Sequence, residues 1–178
     1  MEYQTERKDS MTSEEYQKAA QHWLLKDKDA NLADREALLH SAQEIISAHQ
    51  NGVLGTCSDG QPRCTPVDYA YFNDAFYILT EGGLKFKGLE QNKNVSFTVF
   101  NHDGKFGNLK SVQITGIAEI IEPDAEEYSK NAEIRKYPLP ALQKMNMHLI
   151  KIVPKEIVVL DSSLKQLGFS TRGTVTIE

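Results

Sequence analysis

Two short stretches carry residues whose types and spacing could grip a phosphate. The first is Thr80-Glu81-Gly82-Gly83-Leu84-Lys85-Phe86-Lys87, where an apolar run ends, two glycines turn the chain and a helical pattern begins. Unpaired N–H groups at a helix start, with the positive end of the helix dipole behind them, favour an anion. Gly82 and Gly83 allow close approach of the backbone, and Lys85 or Lys87 adds a full charge. Read alone, the pattern also fits a plain strand-to-helix turn with solvated lysines. The second stretch is Arg63-Cys64-Thr65-Pro66-Val67-Asp68. Arg63 suits two-pronged phosphate recognition, or else is a solvated edge residue. Pro66 has no N–H and so argues for a sheet edge or an unpaired position, which leaves backbone groups free to face a planar ring.

Other reactive side chains carry less. Cys57 and Cys64 flank one hairpin and are read as buried reduced thiols, with a redox pair as the alternative. Neither C-x-x-C nor H-E-x-x-H spacing accompanies the five histidines, so no metal site is expected. His102 and His148 stand isolated in sequence, and no catalytic residue can be assigned. Trp23, at helical spacing, is expected in the core, and Tyr69, Tyr71 and Tyr77 fit alternating strand faces, one of which could cover a bound ring.

Thr12 and Glu15 have capping-box spacing, and Tyr16, Ala20, Trp23 and Leu24 then recur with helical period, which predicts a helix over about Ser13 to Leu25. Leu38, Ala42, Ile45 and Ile46 mark a second helix ending near Asn51-Gly52. This hairpin, residues 12–51, is expected to pack on the remainder of the chain, and residues 1–11 before it are expected to be disordered. From Gly52 the texture becomes β-rich. Asp59-Gly60 and Asn73-Asp74 are short-turn signals, and the three strands they separate are expected to form a meander. Next come a short helix over Leu84 to Gln91, the strand NVSFTVFN and the long strand SVQITGIAEIIE, with Gly116 read as a bulge. Pro123-Asp124 opens a helix to about Ala132, YPLP is irregular, HLIKIVP and EIVVLD are two closing strands, and the tail is ambiguous.

In this order the elements resemble the pyridoxamine 5'-phosphate oxidase-like family of FMN-binding split barrels. The matching features are GVLGTCS, DGQPR, RCTPVDY, FYILT, Lys85 before Leu89-x-x-Asn92-x-x-Val95, and SVQITGIAEII, over about Gly52 to Asp161. The resemblance implies a six-stranded antiparallel split β-barrel with flanking helices, as one domain over residues 12–178. It also implies that Arg63 and Lys85 hold an FMN phosphate with Thr80 nearby, that the backbone around Thr65, Pro66, Val67 and Asp68 lies along the isoalloxazine ring, and that Cys64 belongs to the same cofactor-binding stretch. Gln113 matches a glutamine that reaches the flavin across a dimer interface, so a homodimer is implied. The implied activity is that of a flavin-dependent oxidoreductase acting on a small molecule. The alternatives are a non-enzymatic flavin-binding protein and a barrel holding haem or a deazaflavin. Two departures argue against pyridoxamine phosphate as substrate. Asp68 stands where true oxidases usually carry a phosphate-binding lysine, and Ser170-Thr171-Arg172-Gly173-Thr174 offers an arginine without the family's histidine.

Composition sets the outer limits. The chain of 178 residues, 40% hydrophobic and 25% charged, suits a single soluble domain. A net charge of -5 without a dense basic run disfavours nucleic acid and anionic membranes. No apolar stretch approaches the roughly 18 residues of a membrane span, and the expected location is the cytoplasm.

Overall fold

The computed structural model describes residues 11–105 and 107–177. The stretch expected to be disordered lies outside the described residues except for Met11. Among the described residues are six α-helices and eight strands: α1 Ser13–Ala20, α2 His22–Asp27, α3 Arg35–Ala48, β1 Asn51–Ser58, β2 Gln61–Asp68, β3 Ala70–Phe72, β4 Ala75–Thr80, α4 Lys85–Gln91, β5 Asn94–Phe100, β6 Lys110–Ile121, α5 Glu126–Ile134, α6 Leu139–Lys144, β7 His148–Asp161 and β8 Arg172–Thr176.

The strands make one curled antiparallel sheet in the order β2-β1-β5-β6-β7-β4-β3, with β8 also beside β7. Its two ends belong to one stretch of chain, since β2 and β3 are separated only by Tyr69. This gives a split barrel, closed by chain continuity where backbone pairing is missing. The expected meander is therefore corrected. PRCTPVDYAYF divides at Tyr69, its first half pairing with β1 and its second with β4, while the far edge of β2 stays unpaired.

Both short turns form as their residues require. Asp59 and Gly60 have φ of 52° and 70°, and Asn73 and Asp74 have 48° and 54°. Two consecutive positive φ values give the turn whose twist matches a two-residue hairpin. The two expected closing strands are one, β7, with Lys155 extruded as a bulge opposite Thr115/Gly116. A Cβ on Gly116 would meet the Val153 carbonyl at 2.7 Å, so the bulge needs a glycine there. The same bulge divides the partners on the other edge of β7: residues before it pair with β4, and residues after it pair with β8. The seven strands read along the sequence, against six implied by the resemblance, become eight because the two closing strands merge into β7, β3 is separate from β2 and the ambiguous tail supplies β8. Leu139–Lys144 is helical, although only an irregular YPLP was expected nearby.

The main core fills the barrel and extends under α3, whose Leu38, Ala42, Ile45 and Ile46 are all buried as their spacing implied. A second cluster joins α5 and α6 to the outside of β4 and β7 through Tyr128, Ala132, Leu142, Tyr77 and Leu149. The first two helices differ. The capping box of Thr12 and Glu15 forms, yet α1 and α2 bury no residue, and Trp23 is 47% exposed rather than in the core. Arg172 and Lys26 flank the Trp23 ring at 5.4 and 4.8 Å from its centroid, so its flat face is used without burial.

Candidate functional site

The unpaired edge of β2 faces the end of β4 across a cleft of about 450 Å³, lined by Asn51, Thr65, Pro66, Val67, Asp68, Leu79, Thr80 and Lys85. It continues over the β4–α4 loop, where Glu81, Gly82, Gly83 and Met147 complete a wider depression. Gly82 and Gly83 have φ of 132° and 101°, values that a side chain resists, so the paired glycines are what lets β4 turn into α4 here. Gly88 then seats α4 on β1, because a Cβ would meet that of Thr56 at 2.8 Å. This close seating turns Lys85 inward and leaves Lys87 outside.

Lys85 is 7% exposed. Its ammonium donates to the Gly82 carbonyl, and among the described residues it has no carboxylate partner. Burial holds it below the usual lysine range. A buried cation compensated only by one carbonyl is a costly arrangement, and an anion supplied from outside would relieve it. The Thr80 hydroxyl accepts from the Gly82 N–H at 3.3 Å, which fixes the loop beside the ammonium. Lys87, the other candidate, pairs with Asp59 at 3.1 Å on the surface.

Strand alternation sorts the remaining candidates. Thr65 and Val67 point with Arg63 to the inner side of β2, and Cys64, Pro66 and Asp68 point outward. Arg63 lines the adjoining cleft between the β1–β2 hairpin and α4, of about 390 Å³, rather than the Lys85 cleft itself. Cys64 is exposed and Cys57 half-buried, which corrects the reading of both as buried thiols. They share a face without being directly paired, since Cys64 opposes Gly55 and Cys57 opposes Pro62. Gln113 is exposed on the outer face of β6, in the row Pro66, Val53, Thr98, Gln113. Three strand spacings of about 4.8 Å separate it from Pro66 along the sheet, and it does not line the cleft.

Asp68 is not a free carboxylate. Arg135, which sequence reasoning passed over, donates to it from α5 and also to the Tyr77 carbonyl at 3.2 Å. No sequence motif marks Arg135, which follows the last residue of α5. The tyrosines divide by partner. Tyr69 and Tyr77 are buried, and Tyr77 donates to Glu127 at 2.7 Å, while half-exposed Tyr71 borders a further cleft beyond Asp68. His148 lies against Phe86, and His102 lies near Phe100 and His49. Among the described residues no cluster of His, Cys, Asp or Glu could hold a metal ion, and no helix is long and apolar enough to cross a membrane.

The profile of the pyridoxamine 5'-phosphate oxidase family matches residues 38–161, well over half of the chain and including the whole cleft. The chain belongs to that family. Among solved structures it is similar to an FAD-binding protein from Mesorhizobium loti, at 22% identity over 66% of this chain and 90% of that one, with a TM-score of 0.55. It is also similar to the haem storage protein HutZ from Vibrio cholerae, at 16% identity over 66% and 89% of the two chains, TM-score 0.55. General stress protein 26 from Bacillus anthracis aligns at 21% identity over 78% and 97%, TM-score 0.57. At these identities the likeness concerns the fold. No curated protein matches the sequence.

Proposed function

We propose that the chain binds FMN in the cleft between β2 and β4, as a homodimer, and acts as a flavin-dependent oxidoreductase on a small molecule. The observation that carries this reading is Lys85, a buried cation without an anionic partner among the described residues, beside the Thr80 hydroxyl and the Gly82-Gly83 turn. The residues present fit the cofactor. Lys85 and Thr80 hold the phosphate, and Arg63 adds charge from the adjoining cleft. The free edge of β2, from Thr65 to Asp68, offers backbone groups to the ring, and Val67 and Leu79 exclude water from its surroundings. When bound, FMN supplies the two-electron redox chemistry, and the chain supplies binding, orientation and a neutralised phosphate.

Gln113 belongs, in this reading, to the site of a second copy. Val53, Thr98, Gln113 and Val158 form a continuous outward row of half-buried or exposed residues, a face that an isologous partner would cover. The phosphate grip alone would equally suit a non-enzymatic flavin carrier, and the named relatives include both an FAD-binding and a haem storage protein. The absorption spectrum and mass of the ligand released from purified protein test the cofactor. A flavin spectrum and the mass of FMN are expected; a haem spectrum, or no affinity for added FMN, refutes the reading. Steady-state oxidation of a reduced nicotinamide by the FMN-loaded protein, with an acceptor present, separates enzyme from carrier.

A further inference from the structure

We infer that the cleft beyond Asp68 admits a cationic or uncharged planar substrate and rejects phosphate esters, because Asp68 already occupies Arg135, the cation that lines it. This rests on the flavin reading of the neighbouring cleft and names the class of molecule that would meet the ring. The further cleft, of about 350 Å³, shares Asn51 and Asp68 with the Lys85 cleft, so its contents would lie alongside whatever occupies the first. Its walls include Gln50, Tyr71, Tyr137 and Arg135. Aromatic rings and neutral amides suit a flat molecule.

The charges decide which flat molecule. The Arg135 side chain is only 9% exposed, and two of its five N–H donors are engaged within the chain, one by Asp68 and one by the Tyr77 carbonyl. Its Nε is buried without a partner, so the guanidinium is anchored deep in the wall. Asp68 is 51% exposed, and only its Oδ2 is engaged. Oδ1 accepts nothing from the described residues and stands as an open acceptor where the two clefts meet. An ammonium, amidine or ring N–H would find a partner there. A phosphate would face that oxygen, and would meet an Arg135 whose charge is already paired with Asp68. Asp68 thus acts as a built-in anion in the position where an anionic substrate would otherwise bind.

Protein saturated with FMN, so that the Lys85 cleft is filled, can be titrated calorimetrically with benzylamine, benzyl alcohol and phenyl phosphate. The expected result is that the amine and the alcohol bind, with phenyl phosphate at least tenfold weaker than benzylamine. Asp68→Asn leaves Arg135 uncompensated, so phenyl phosphate should gain at least tenfold and benzylamine should lose affinity. Equal affinities of the wild-type protein for the amine and the phosphate, no binding of any probe, or an unchanged ratio in Asp68→Asn would each overturn the inference. If that variant fails to fold, the wild-type ratio still decides. FMN affinity is measured in the same samples. If FMN does not bind, the flavin reading falls on its own, and the probe ratio is then read on Lys85→Met protein, where the phosphate cannot use the first cleft.

Discussion

Lys85 and Asp161 are both buried ionised groups, 7% and 2% exposed, and the chain treats them in opposite ways. Asp161, at the end of β7, accepts from the Ser41 hydroxyl at 2.8 Å, from the Ser163 hydroxyl at 2.6 Å and from the Ser163 N–H at 2.8 Å, with Lys110 at 3.5 Å. Burial pushes its carboxyl up, but Ser163, Ser41 and Lys110 together outweigh that and hold it below the usual range. Lys85 has one carbonyl, and burial alone moves it. The satisfied charge ties α3, β6 and the turn after β7 together. The unsatisfied one lines an open cleft. Burial by itself does not distinguish structure from function; the completeness of the partner set does.

The largest effect should come from the satisfied charge. Asp161→Ala strips the partners from two serines and a lysine, and is expected to cost about 2–4 kcal/mol of stability in urea unfolding while leaving FMN affinity within about twofold. Lys85→Met should do the reverse. FMN affinity is expected to fall by about 1.5–3 kcal/mol, the strength of a charge-assisted bond, whereas the cofactor-free protein keeps or gains stability because an uncompensated charge is gone. A large loss of stability in Lys85→Met would erase the contrast. Arg63→Ala, one cleft away and exposed, should weaken FMN by about 1 kcal/mol, and an effect equal to that of Lys85→Met would place it in the same grip.

The pH dependence sharpens the contrast with the smallest changes. Asp161 has a lowered folded pKa, so its contribution is complete above the unfolded value near 3.8 and is lost as pH falls through the folded one. Lys85 has a lowered folded pKa on a basic group, so the unfolded chain binds more protons and stability rises with pH between the depressed value and 10.5. That rise should vanish in Lys85→Met, and FMN affinity should fall over the same interval as the ammonium deprotonates. Unfolding curves and FMN titrations across pH check both.

Local chemistry made much of the fold readable. Asp59-Gly60 and Asn73-Asp74 specify their turns through φ, Gly116 marks its bulge, and the α3 stripe declares its buried face. What the sequence hid was partnership at a distance. Nothing local tells PRCTPVDYAYF that its halves pair with different strands, or that Lys155 is extruded and β7 runs on. Trp23 carries a core-like spacing on a helix that buries nothing, since periodicity shows that a face is apolar and not that anything covers it. At the candidate site, Thr80, Lys85 and Thr65–Asp68, marked by the sequence, line one cleft. Arg63 and Gln113 do not share their cleft, and Arg135 emerged only when α5 folded over β4 to reach Asp68.

In the flavin reading, Lys85 awaits a phosphate. Cofactor-free protein titrated with FMN and with riboflavin, followed by flavin fluorescence, tests it most directly because the two ligands differ only in the phosphate. FMN is expected to bind at least tenfold more tightly than riboflavin, with most of that difference lost in Lys85→Met. Equal affinities for the two ligands, or a preference for FMN that survives Lys85→Met intact, would show that Lys85 does not hold the phosphate.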